Sequence, residues 1–201
     1  MTYLGTIEEL EALYGQPGEA SVVKVARRMT PVYRDWISRA RLCILTTVGP
    51  EGTDASPRGD DGPVVRELDP GTILLPDWRG NNRIDSLRNI VRDPRVSLMF
   101  LIAGSDNVIR LNGTARITAD AGLRDSFARN GKSPRSVIEI EIAEIYSQCA
   151  RALMRAGIWR DGDQSAGLPT VGDMLSEMTR GRIDGAAYDA EWPGRAAASL
   201  W

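Results

Sequence analysis

Between residues 42 and 145 the apolar positions come in short runs, several alternating with polar ones and most bounded by glycine or proline. Alternation puts successive side chains on opposite faces of a strand, so these runs predict strands over 42–48, 54–56, 64–68, 72–75, 95–102, 108–117 and 137–145. The last is the cleanest, with Ile138, Ile140 and Ile142 on one face and Glu139 and Glu141 on the other. Gly49-Pro50-Glu51-Gly52 and Asp69-Pro70-Gly71 read as turns between strands. Short strands at close spacing, with helices as inserts, predict a mainly β protein built on a closed or split antiparallel barrel.

Helical spacing flanks this region and interrupts it. Thr6 and Glu9 have the form of a capping box and open a helix running to Tyr14, which Gly15 to Gly18 break. A second helical piece covers 21–28, and Thr30-Pro31 starts a third that ends near Ala40. Ile84, Leu87 and Ile90 predict a helix over 83–91. Further helices are expected over 120–130, where Gly131 serves as the stop, over 147–158 and over 171–179. Residues 161–169 read as a linker. The tail 181–201 carries Tyr188, Trp192 and Trp201 on little regular structure, and needs either its own body or a partner subunit to lie on. Three parts follow: an N-terminal helical segment (1–40) packing on the barrel, the barrel (41–160) and a C-terminal helical or irregular tail (161–201).

Composition narrows the chemistry. The chain of 201 residues contains no histidine. That excludes Ser-His-Asp and Cys-His catalysis, His-ligated zinc and an axial histidine for haem. A formal net charge of -2 gives no reason to expect a nucleic-acid or membrane partner. Cys43 and Cys149 form no CxxC pair and read as buried thiols of a reducing compartment. MTYLGTIEELEALYG has neither a basic nor an apolar signal region, and the longest apolar run, 96–103, is too short to span a bilayer, so a cytoplasmic location is expected.

Two segments carry candidate binding chemistry. In Ser56-Pro57-Arg58-Gly59-Asp60, proline sets a turn, glycine permits close approach, and Arg58 is able to pair bidentately with a phosphate. Alone it also fits a surface turn with a solvated arginine. In Asp77-Trp78-Arg79-Gly80-Asn81-Asn82-Arg83, Asn82 and Arg83 lie at the start of the 83–91 helix, whose dipole favours an anion. Alone it also fits a plain capped helix. Arg58 and Arg83, each after a strand and 25 residues apart, together point to one phosphate held between neighbouring strands. Asp161-x-Asp163-x-Ser165 lacks the glycine and glutamate of a calcium loop, Asp60-Asp61 reads as a solvated pair, and no metal site is expected. There is no GxGxxG, Walker A or GxSxG motif.

The segments CILTTVGPEGTDASPRGD, ILLPDWRGNNRIDSLRNIVRDPRVSLMFLI and VIRLNGTARI, followed by a C-A-x-A-L-x-R-x-G-x-W pattern from Cys149 to Trp159, resemble the pyridoxamine 5'-phosphate oxidase-like FMN-binding split-barrel family. The resemblance implies a homodimer with FMN at the interface. It places Arg58 and Arg83 on the FMN phosphate with Asn82 beside it, Gly59 and Asp60 along the isoalloxazine, and Pro76 and Asp77 at the site wall. Ser56, Pro57 and Asn81 complete the candidate set, and no catalytic residue is assigned. Val108 stands where the oxidases place a glutamine, and their C-terminal substrate motif with its histidine has no counterpart. The implied activity is therefore FMN-dependent redox chemistry on another, unidentified small molecule. Two alternatives stay open: a reductase using the deazaflavin F420, whose longer tail Arg79 and Arg110 would serve, and a non-enzymatic flavin-binding carrier or interaction module.

Overall fold

A computed structural model describes residues 1 and 3–201. Seven strands, β1 (Leu42–Gly49), β2 (Gly52–Gly59), β3 (Arg66–Asp69), β4 (Thr72–Asp77), β5 (Arg95–Leu101), β6 (Val108–Thr118) and β7 (Ser136–Gln148), form one antiparallel sheet in the order β2-β1-β5-β6-β7-β4-β3. β2 and β3 remain as edges, so the sheet is open, and the architecture is the split-barrel arrangement that the sequence predicts. Its alternating apolar positions, among them Leu45, Leu98, Phe100, Leu111, Ile138 and Ile140, converge on a single core closed by Met29, Ile37 and Ile90. Burying each such side chain contributes roughly 1.5–3 kcal/mol. β6 and β7 slip register at Asn112/Gly113. A Cβ on Gly113 would lie 2.0 Å from the Glu141 carbonyl oxygen, so this bulge accepts only glycine.

The helices are α1 (Ile7–Tyr14), α2 (Glu19–Val22), α3 (Pro31–Ile37), α4 (Asp85–Arg92), α5 (Ala121–Asp125), α6 (Arg151–Ala156), α7 (Val171–Met178) and α8 (Gly185–Ser199). The capping box of α1 and the Thr30 cap of α3 form as expected. Other boundaries differ for local reasons. In place of the 21–28 helix there is only α2, which ends at Val22 with Val23 still right-handed, because Ala26 is drawn out to exchange backbone hydrogen bonds with Ile145. The 147–158 helix shortens to α6 because β7 continues through Gln148.

The 120–130 helix stops at Asp125, and Asn130-Gly131, instead of ending it, forms a two-residue hairpin turn with φ of 49° and 75° between the paired Arg129 and Lys132. The tail read as irregular is mostly α8, which packs on α7 where Gly172 and Gly185 let the two backbones meet. Only one of the two thiols is buried: Cys43 is enclosed and Cys149 exposed.

Two differences bear directly on the candidate segments. Ser56 to Gly59 continue β2 and are not a turn; Pro57 lies opposite Ile44. Because β2 is an edge strand, the missing N–H of Pro57 leaves no ladder bond unmade. β4 likewise runs on to Asp77, past the last β3 partner at Leu74, and so tolerates Pro76. α4 begins at Asp85, after Asn82 and Ile84 have both turned left-handed, with φ of 63° and 53°. For a β-branched residue such as Ile84 this is a strained conformation.

Candidate functional site

The ends of β2 and β4 meet around a cavity of about 1090 Å3. Nine of the ten candidates line it: Ser56, Pro57, Arg58, Gly59, Asp60, Pro76, Asp77, Asn81 and Asn82. Arg83 is outside the lining; its side chain is 76% exposed and pairs with Asp85 at 2.9 Å. Arg110, the other half of the extended groove suggested for F420, lies over the Tyr146 ring on β6 and also lines no part of the cavity.

The β2 wall is tied down internally. The Arg58 guanidinium is bonded to the Asp77 carboxylate through Nη1, and its Nε donates to Ser56 Oγ at 3.2 Å. Their side chains are 20% and 12% exposed, so the pair is partly withdrawn from water. Ser56 Oγ in turn lies 3.0 Å from Ser86 Oγ on the first turn of α4, and Ser86 donates to Asp54. Cross-strand from Arg58 sits Cys43, whose thiol is pushed up to about 12 by burial, an effect that the nearby guanidinium partly offsets.

Asp60 is the second fixed point. Its side chain is 3% exposed and accepts from Trp78 Nε1 (3.1 Å), the Gly62 amide (3.3 Å) and Arg129 Nη2 (2.9 Å). Arg129 also pairs with Asp61 at 2.7 Å. Asp60-Asp61 is therefore an arginine-paired unit rather than a solvated pair.

The opposite wall is open. Arg135 reaches from the residue before β7 to Asn82, donating from Nη1 to Oδ1 at 2.9 Å, while its amide donates to the Asp77 carbonyl. Among the described residues, Arg79 and Arg135 have no carboxylate partner. Ser136 is 9% exposed, and its Oγ makes no hydrogen bond among the described residues. The aromatic tail closes this side from its own body: Trp192, Leu200 and Trp201 line the cavity, and the Trp201 ring meets Trp78 edge-on at 5.0 Å.

Among the polar and aromatic lining residues, Arg41, Arg135, Ser136, Trp192 and Trp201 are ones that the sequence did not place in the site. Each comes from a segment distant in sequence from the two motifs, and only the aromatic tail, which needed a surface, hinted at its place.

In electrostatic terms the lining sets Arg41, Arg58, Arg79 and Arg135 against Asp60, Asp61 and Asp77. Such a cavity suits an anion joined to a flat polar ring: guanidiniums for the charge, aromatic and proline faces for the ring, and a free hydroxyl and backbone groups for its edge.

A family model described as pyridoxamine 5'-phosphate oxidase matches residues 29–149. Among curated proteins no sequence match is found. Similar solved structures include HupZ from Group A Streptococcus (21% identity, 59% of this chain and 93% of that one, TM-score 0.47). They also include General Stress Protein 26 from Bacillus anthracis (18%, 55% and 86%, TM-score 0.43) and an FMN-binding protein from Syntrophomonas wolfei (13%, 72% and 98%, TM-score 0.43).

Proposed function

This chain belongs to the pyridoxamine 5'-phosphate oxidase family, and on that premise we propose that it is an FMN-binding flavoprotein whose cofactor occupies the cavity between the ends of β2 and β4. The observation that carries the proposal is the convergence of the two motif segments on one cavity that also contains a buried, unbonded hydroxyl, Ser136 Oγ. A buried polar atom without a partner costs roughly 1–3 kcal/mol, and a ligand that hydrogen-bonds to it removes that cost.

The residues present fit the group. Arg58 uses Nη1 and Nε within the protein, which leaves Nη2 for a phosphate oxygen. Asn82 and Arg135 hold a second side of the phosphate. Arg83 joins them once it leaves Asp85, an exposed pair that costs little to break. Gly59, Asp60 and Pro76 would lie along the ring, and Ser136 would meet its polar edge. Bound FMN supplies two-electron redox chemistry to an unidentified small molecule; the protein anchors, orients and partly dries the ring, without an obligatory acid or base of its own.

Homodimerisation, with the second copy completing the ring site, belongs to the same proposal. The cations Arg79, Lys132 and Arg135, which lack carboxylate partners among the described residues, also lie around a smaller adjoining pocket next to Trp201. This basic extension supports a second reading, in which the longer anionic tail of F420 takes the place of FMN.

The test is the cofactor itself. Protein purified from its own host, then denatured, is expected to release FMN identifiable by chromatography and mass. Release of F420 would favour the second reading, and a colourless protein that takes up neither would reject both. Stopped-flow reduction of the bound flavin by NADH or NADPH, followed by reoxidation, separates an enzyme from a carrier, since a flavin that never cycles belongs to a carrier.

A further inference from the structure

Edge strand β2 presents Asp54, Ser56 and Arg58 on one face, two residues apart. All three are half-buried, while Thr53, Ala55, Pro57 and Gly59 on the other face are exposed. An inward face that is polar throughout adds nothing to an apolar core and has to be satisfied by other polar groups. It is met by Ser86 on the first turn of α4, a hydroxyl residue only 3% exposed. The bonds among these groups have one consistent direction. The Asp54 carboxylate is an acceptor only, so Ser86 Oγ donates its single proton there. Ser86 Oγ is then left to accept from Ser56 Oγ at 3.0 Å, and Ser56 Oγ to accept from Arg58 Nε at 3.2 Å. A chain of donors thus runs from the guanidinium through two hydroxyls to a carboxylate, and each bond polarises the next.

Both ends of the chain are fixed. Among the described residues Asp54 forms no ion pair, so the relay is its link to a cation. α4, which carries Ser86, is itself held on the β1–β2 hairpin: Asn89 Nδ2 donates to Thr47 Oγ1 at 3.1 Å, and Arg92 bonds both carboxylate oxygens of Glu51. We propose that Asp54 and Ser86 are positioning residues for the cofactor phosphate, acting through Ser56 to hold the Arg58 guanidinium in its binding orientation. Neither residue lines the cavity, so any effect that they have on a ligand is transmitted. With Nη1 held by Asp77 and Nε by the relay, Arg58 is ordered before the ligand arrives, and Nη2 meets the phosphate with little further loss of side-chain freedom. The proposal rests on the reading of the cavity as an FMN site with Arg58 on the phosphate.

Titration of FMN and of riboflavin, which lacks the phosphate, into the cofactor-stripped full-length chain tests it. Asp54→Asn keeps the side-chain shape but removes the charge that ends the relay, and Ser86→Ala breaks the relay one link earlier. Each is expected to weaken FMN about fivefold and riboflavin by less than about twofold. In an Arg58→Gln background the same substitutions should change FMN affinity by less than about twofold, because the group that they position is gone. A merely structural role would move both flavins alike and would persist without Arg58; either result would overturn the proposal, as would FMN affinity unchanged in both variants. Ser86→Ala keeps the test open should Asp54→Asn fold poorly. If the unsubstituted protein binds FMN no more tightly than riboflavin, or Arg58→Gln leaves FMN affinity unchanged, the flavin-site reading itself fails and this proposal falls with it.

Discussion

The β2 wall of the cavity satisfies its charges within the protein, whereas the opposite wall leaves the guanidiniums of Arg79 and Arg135 and one hydroxyl without a charged or bonded partner among the described residues. On the first, Arg58 is held by Asp77 and Ser56, and Asp60 by Trp78, Gly62 and Arg129. On the second, among the described residues, Arg79 has no carboxylate partner, Arg135 bonds only neutral groups, and Ser136 Oγ bonds nothing. The difference separates two tasks. A fixed wall sets where a ring can lie, because its groups are oriented before a ligand arrives; an open wall contributes most of its bonding only when a ligand supplies the partner.

The contrast breaks most visibly at Asp60. Asp60→Asn removes a buried charge from under Arg129 and is expected to cost about 2–4 kcal/mol of folding stability, read by urea unfolding. A loss under about 0.5 kcal/mol would mean that the wall is not held in this way. Arg58→Gln comes next: FMN affinity should fall roughly tenfold to a hundredfold by titration, with some loss of stability because Asp77 loses its partner.

On the open wall the two readouts should separate. Arg135→Gln, and Arg83→Ala just outside the lining, are each expected to weaken FMN binding severalfold while stability changes by no more than about 0.5 kcal/mol. Ser136→Ala sharpens the comparison further. Removing an unbonded buried hydroxyl should leave stability unchanged or slightly raised, while flavin binding weakens by a few-fold; a clear destabilisation would show that the hydroxyl already has a partner.

The smallest effect concerns the thiols. Cys149 should react with a maleimide in the native protein, whereas Cys43 should not at any pH short of unfolding. Because burial raises the Cys43 pKa from its ordinary value to about 12, its stabilising contribution is intact below about pH 9 and declines as pH rises from there towards about 12. A native protein that labels at two sites near neutral pH would contradict that burial.

The strands were legible where one face is buried and the other wet, as in β7, because alternation is then forced by the core. Misread boundaries cluster where a tertiary partner overrides local preference: Ala26 is drawn to Ile145, and β7 extends past the point where its alternation fades. Pro57 was misleading for a different reason, since whether proline marks a turn or an edge strand depends on neighbours that the local sequence does not contain. Both site segments were legible because each ends a strand and carries its own arginine. Arg135, Ser136 and Trp201 were not, since their approach to Asn82 and Trp78 is set by the β4–β7 pairing and by the packing of α8, contacts between distant parts of the chain.

We propose that the cavity between the ends of β2 and β4 is a flavin site anchored on Arg58. Titration of FMN into the cofactor-stripped protein, followed by tryptophan fluorescence, tests it most directly because Trp78 and Trp201 stand in the cavity wall. Saturable quenching at one FMN per protomer is expected, with a tenfold or greater weakening in Arg58→Gln. Absence of saturable quenching, or an affinity that Arg58→Gln leaves unchanged, would contradict it.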